Sequence, residues 1–108
     1  MGERVWQLLE GLDPEKSTFP ARARVDGEGI LIFRTVRGFR GTQRACPHMG
    51  ASLMDAQVIG EGSMLRCSRH VFTYKLSDGK GVNCPGFRLK VFEVKVEDGR
   101  LFARTVDS

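Results

Sequence analysis

Val91-Phe92-Glu93-Val94-Lys95-Val96-Glu97-Asp98-Gly99-Arg100-Leu101-Phe102-Ala103 decides the fold class. From Phe92 onward apolar and polar residues alternate, the period of a strand whose side chains point to opposite faces. Asp98-Gly99 then supplies the pair that a two-residue hairpin turn demands, because both central positions need positive φ. Such a turn sets Glu97 opposite Arg100, Val96 opposite Leu101 and Val94 opposite Ala103, with the apolar partners on one face. The stretch predicts an antiparallel hairpin.

Toward the N-terminus the same grammar recurs. Residues 21–25 and 30–34 flank Asp26-Gly27-Glu28-Gly29, a second hairpin signal, and residues 39–43 follow through Arg37-Gly38. Residues 5–9 read as a first strand. Residues 11–20, with Asp13-Pro14 and Phe19-Pro20, read as a loop, since proline drives the residue before it out of the helical region. Thirteen glycines among 108 residues fall mostly between apolar runs, which favours short strands over long helices. An all-β antiparallel sandwich or barrel is expected, built as a single domain over residues 1–108.

Gly29-Ile30-Leu31-Ile32-Phe33, the longest apolar run, falls far short of the ~20 residues of a membrane span. The N-terminus, with Glu3, Arg4 and Trp6 before Gly11, lacks the apolar core of a signal peptide, so a cytoplasmic protein is expected. The formal net charge is +4. The basic residues are scattered and Trp6 is the only tryptophan, so no nucleic-acid signature forms. A basic surface that docks an acidic protein partner fits better.

Between Ala45 and Pro85 the strand pattern breaks. Cys46-Pro47-His48-Met49-Gly50-Ala51-Ser52-Leu53 and Cys67-Ser68-Arg69-His70 read as two irregular loops separated by strand-like Met64-Leu65-Arg66. Residues 54–58 predict a helical turn, kept short by Gly60 and Gly62. Three cysteines cannot all pair, and in a reducing compartment they read as metal ligands or free thiols. The two histidines both sit beside cysteines, giving C-x-H, then eighteen residues, then C-x-x-H. Two thiolates and two imidazoles close a four-ligand site. Structural zinc sites usually pair like with like, C-x₂₋₄-C then H-x₃₋₅-H. Here each loop carries one Cys and one His, so one iron can take both cysteines and a second both histidines. A zinc-stabilised interaction module remains the alternative on spacing alone.

The first loop matches the CPHxGxxL pattern of Rieske-type proteins and the second their CxxH pattern. The chain resembles a Rieske ferredoxin along nearly its whole length. The resemblance implies one [2Fe-2S] cluster in a small subdomain made of the two loops, with Cys46 and Cys67 on the inner iron and His48 and His70 on the outer. It implies that Pro47 and Gly50 shape the first loop, that Leu53 plugs its base and that Pro85 belongs to a covering third loop. Cys84 has no evident partner and reads as a bystander. The second loop commonly reads CPxHG; here Ser68 and Val71 replace the proline and glycine, and the run to Asn83 is more similar to ferredoxins of toluene-type diiron monooxygenases.

The resemblance implies an electron carrier without catalytic residues of its own, taking electrons from a flavin-containing reductase to a terminal oxygenase. A diiron monooxygenase is the first choice of acceptor and a ring-hydroxylating dioxygenase the second. The alternative is a small electron-transfer subunit of another redox complex, such as nitrite reductase. The expected partners are transient, the expected state a monomer, and neither nucleic acid nor membrane is engaged. Respiratory Rieske proteins carry a disulfide where this chain has Ala51 and Ser68, and a serine where it has Phe72. Tyr74 matches their tyrosine. Those differences place the expected potential below ~0 mV within the family window. His48 and His70 are the expected exit edge, with Met49, Val71 and Phe72 as apolar contacts and Arg44 and Arg69 at the rim.

Overall fold

A computed structural model describes residues 5–47, 50–68, 72–84 and 86–106. Nine strands account for the regular structure among these residues: β1 (Gln7–Leu8), β2 (Ala21–Val25), β3 (Glu28–Thr35), β4 (Gly38–Gln43), β5 (Gln57–Ile59), β6 (Met64–Arg66), β7 (Thr73–Lys75), β8 (Val91–Glu97) and β9 (Arg100–Thr105). They form an antiparallel six-stranded sheet in the order β1-β9-β8-β4-β3-β2 and a three-stranded sheet in the order β5-β6-β7. Among the described residues there is no helix, and so none long and apolar enough to cross a membrane.

The terminal hairpin has the expected register, with Glu97 opposite Arg100, Val96 opposite Leu101 and Val94 opposite Ala103. Asp98 and Gly99 have φ of 54° and 74°, the paired positive angles that suit the twist of a two-residue hairpin. Asp26-Gly27 repeats the device with φ of 53° and 78°. That hairpin is tighter than the four-residue signal implied, because Glu28 pairs with Val25 and Gly29 with Arg24. Gly29 belongs to the strand, with the movable end of the Arg44 side chain lying over it.

The six-stranded sheet curls until its edges meet. Gln7 of β1 donates from Nε2 to Asp26 Oδ1 at 2.7 Å, and the Asp26 amide donates back to Gln7 Oε1 at 3.1 Å. Alternation along β3 then serves two cores. Ile30 and Ile32 point into the curled sheet with Leu9, Val25, Phe92, Leu101 and Ala103. Leu31 and Phe33 point outward, where the small sheet covers them with Leu65, Tyr74 and Leu76. Arg40 joins the two layers, its guanidinium donating to the carbonyls of Leu76 and Ser77.

The helical turn expected over residues 54–58 does not form. The Ala56 amide bonds Leu53 O at 3.0 Å in a single turn, and Gln57–Ile59 then pairs with Met64–Arg66. An edge strand of three residues carries too little alternation to announce itself. The first strand is likewise only Gln7–Leu8, shorter than residues 5–9.

Candidate metal centre

Both cysteine loops hang from the small-sheet end and are closed in the same way. In the first, the Cys46 amide donates to Ala51 O at 2.7 Å, beside a bridge between Ala45 and Ser52. In the second, the Cys67 amide donates to Phe72 O at 2.8 Å, one step beyond the last β6–β7 pair, Arg66 with Thr73. Each cysteine therefore ties its own N–H to the carbonyl five residues on, 46 to 51 and 67 to 72. This leaves each thiol at the mouth of a pinned loop. The first loop is tightened further by the Gly50 amide on Cys46 O at 2.7 Å, with Gly50 at φ 75°. Leu53 is fully buried beneath it and bonds Arg44 O through its amide at 2.8 Å.

Cys46 and Cys67 are buried in one core cluster, neither in a disulfide. His48 and His70 lie outside the described residues, as do Met49, Arg69, Val71 and Pro85, so of the four expected ligands only the two cysteines are described. Tyr74 joins them. Its hydroxyl is hydrogen-bonded to Cys46 Sγ at 3.5 Å. Burial first, and then the hydrogen bonds to the Cys46 and Cys84 sulfurs, hold the phenol well above its usual pKa. A thiolate can only accept, so a protonated Tyr74 becomes the donor to a metal-bound Cys46. Two dry thiols and one aimed donor suit an iron–sulfur cluster.

Two residues that the sequence did not single out as functional, Gln43 and Asn83, help build this geometry. The Gln43 side chain donates to Ala45 O at 2.6 Å and accepts from the Lys90 amide at 2.7 Å, pinning the base of the first loop to the residue that leads into β8. Asn83 Oδ1 accepts from the Thr73 amide at 2.9 Å, and the Val82 amide bonds Thr73 O at 2.7 Å. Together these bonds hold Val82 and Asn83 against β7. Cys84, read as a bystander, is buried in the same core as Cys46, Cys67 and Tyr74, its thiol donating to Thr73 O at 3.9 Å. An uncharged amide next to a ligand loop is the one sequence signal that points to Gln43 and Asn83.

The surface near the loops also differs from expectation. Phe72 is half-buried against the core rather than presented as a contact. Val82 and Phe87, 51% and 38% exposed, are the apolar side chains that the third loop offers instead. Arg44 is exposed, as the rim role requires.

The sequence profile of the Rieske [2Fe-2S] domain matches residues 7–93. The ferredoxin component of the alkene monooxygenase system of Xanthobacter autotrophicus is 28% identical over 76 residues, 70% of this chain and 62% of that protein. The methanesulfonate monooxygenase ferredoxin subunit of Methylosulfonomonas methylovora is 35% identical over 74 residues, 68% of this chain and 59% of its own. The chain thus spans about six-tenths of the length of these relatives. Among solved structures, the ferredoxin of carbazole 1,9a-dioxygenase from Nocardioides aromaticivorans IC177 shares the fold. Its TM-score is 0.67 at 20% identity, over 94% of this chain and 97% of that one. Profile, fold and paired cysteine loops agree: the chain belongs to the Rieske [2Fe-2S] domain family, and its cofactor is one Rieske-type [2Fe-2S] cluster.

Proposed function

We propose that this chain is a single-domain, monomeric, cytoplasmic electron carrier whose cluster is held by Cys46, His48, Cys67 and His70. The thiolates take one iron and the imidazoles the other. The observation that carries the reading is the matched closure of the two loops, which sets both buried thiols into one core beside the Tyr74 hydroxyl. When bound, the cluster supplies a one-electron couple, raised in potential relative to all-cysteine clusters by its two neutral imidazoles. The chain does the rest. Burial keeps water from the thiolates, the pinned loops hold the ligands at fixed spacing, and Tyr74 directs a hydrogen bond to sulfur. Cys46, Cys67 and Cys84 form no disulfide, so no covalent strap ties the loops at Ala51 and Ser68. With Phe72 in place of a serine donor, a midpoint below ~0 mV follows.

The partners are a flavin-containing reductase and a terminal oxygenase, with a diiron monooxygenase as the preferred acceptor. The names of both sequence relatives support a monooxygenase acceptor, and the diiron choice rests on the resemblance of the second loop. Transfer would run through His48 and His70, and the exposed Val82 and Phe87 offer apolar contacts to a partner. The decisive sample is the purified protein. It should be brown and carry iron and acid-labile sulfide in equal amounts; a colourless zinc protein overturns the assignment. Reconstitution with a reductase and a diiron monooxygenase should then restore turnover, and failure with that acceptor but success with a dioxygenase would move the partner.

A further inference from the structure

Lys90 pairs with Glu28 at 2.7 Å, Lys95 with Glu97 at 3.2 Å and Arg104 with Glu93 at 2.6 Å. Another group of cations is gathered around a cleft. Where the turns at residues 35–38, 60–63 and 75–77 converge, a cleft of about 410 Å³ is lined by Arg37, Arg40 and Lys75 around Ser63, Met64 and Leu76. Among the described residues no carboxylate lines it. Acids stand beside it rather than in its lining: Glu93, paired with Arg104, lies across the strand from Arg40, Asp78 follows Ser77 and feels the Lys75 charge, and Glu61 precedes Gly62.

The three cations are not equivalent. Arg40 is fixed by the Leu76 and Ser77 carbonyls, so its guanidinium is already ordered before anything binds. Burial also lowers its pKa, against the pull of Glu93 across the strand. Arg37 and Lys75 are exposed. Next to Arg37, at the tip of the β3–β4 turn, Val36 is 84% exposed. Three cations lining one cleft with Met64 and Leu76, beside an exposed valine, suit a peptide bearing both acids and an aliphatic side chain.

We propose that this cleft docks an acidic segment of a protein partner, at a site separate from the cysteine loops. Met64 and Lys75 pair at the far end of the β6–β7 hairpin from Cys67. At the strand rise that distance is about 10 Å. A segment seated here is therefore held by the body of the small sheet rather than by the cysteine loops. The proposal needs no statement about the cluster, so it stands or falls apart from the electron-carrier reading.

The test uses the full-length, cofactor-loaded protein and a fluorescent six-residue peptide of five glutamates around one leucine, followed by anisotropy. The acidic peptide should bind and its glutamine counterpart should not. Arg37→Glu with Lys75→Glu should weaken binding about tenfold, while Arg22→Glu with Arg24→Glu should change it less than about twofold. Arg37→Gln with Lys75→Gln should weaken it in the same direction, which guards against a folding defect in the reversed pair; circular dichroism checks all variants. Equal binding of the glutamine peptide, or equal loss in the Arg22 and Arg24 pair, overturns the proposal. So does displacement of the peptide by inorganic phosphate or by a single-stranded RNA oligonucleotide at matched ionic strength, which would make the cleft a small-oxyanion or nucleic-acid site.

Discussion

Replacing Tyr74 by Phe removes one hydroxyl from the sulfur side of the site and leaves its packing in place. The ring is fully buried among Leu65, Leu76 and Cys84, so the variant keeps the core it sits in. What disappears is the hydrogen bond to Cys46 Sγ, 3.5 Å long, together with the one to the Cys84 sulfur, which is no expected ligand. Hydrogen bonds to charged acceptors contribute about 1.5–3 kcal/mol, and the one to Cys46 is long. Both oxidation states accept it, so only the difference between them moves the potential. Taking that difference as about 0.5–1 kcal/mol, and ~59 mV per 1.36 kcal/mol for a one-electron couple, the shift is roughly 20–45 mV. The sign follows from charge. Reduction adds negative charge to the iron–sulfur unit, so a donor at sulfur favours the reduced form and its removal lowers the midpoint. A spectroelectrochemical titration of wild type and Tyr74→Phe at pH 7 reads the shift directly. A midpoint that rises, or that stays within the few millivolts of measurement error, refutes the assignment of Tyr74 as donor to a cluster ligand.

Cys46→Ala and Cys67→Ala should each lose iron and acid-labile sulfide, whereas Cys84→Ala should retain both; a colourless Cys84 variant would contradict the ligand assignment. Gly79→Ala should lower the urea midpoint severely, by about 3 kcal/mol or more, since the residue is in the left-handed region at φ 83° and a Cβ would sit 1.7 Å from Leu89 O. A mild loss there would mean that residues 79–89 rearrange easily. The Asp13 carboxylate is held below its usual pKa by the Glu15 and Lys16 amides, the first being the larger cause. A depressed folded-state pKa contributes stability above the unfolded value of 3.8, lost as pH falls through the lower folded value. Asp13→Ala should therefore flatten the acid limb of stability below about pH 4 and leave the neutral region nearly parallel to wild type, as followed by urea midpoints across that range.

How much of this was legible in the chain depends on how local each determinant is. Asp98-Gly99 fixes a register within a few residues of itself, and that hairpin was readable to the pair. Cys46 and Cys67 were readable for the same reason, since the ligand spacing is a short-range pattern. Tyr74 matched a family position, but its partner Cys46 is 28 residues away, and Gln43 acts through Lys90, 47 residues on. Such contacts exist only after the two sheets have met. The surroundings of Cys84 were not legible, because nothing near it in sequence predicts Tyr74 or Thr73 as neighbours.

Ile30-Leu31-Ile32-Phe33 held the missing information in a form that invites a second interpretation. A strand with one wet face alternates, as Phe92 to Glu97 does; a run that does not alternate must be covered on both faces. Here Ile30 and Ile32 fill the curled sheet while Leu31 and Phe33 need a second layer. The small sheet, whose strands are too short to declare themselves, is that layer. Its β6 and β7 are also the strands between which Cys67 and His70 are suspended. The apolar run in β3 thus demands the very element from which the second cysteine loop hangs, and a polar substitution at Leu31, which shares a buried cluster with Cys46, Cys67 and Tyr74, would loosen both loops.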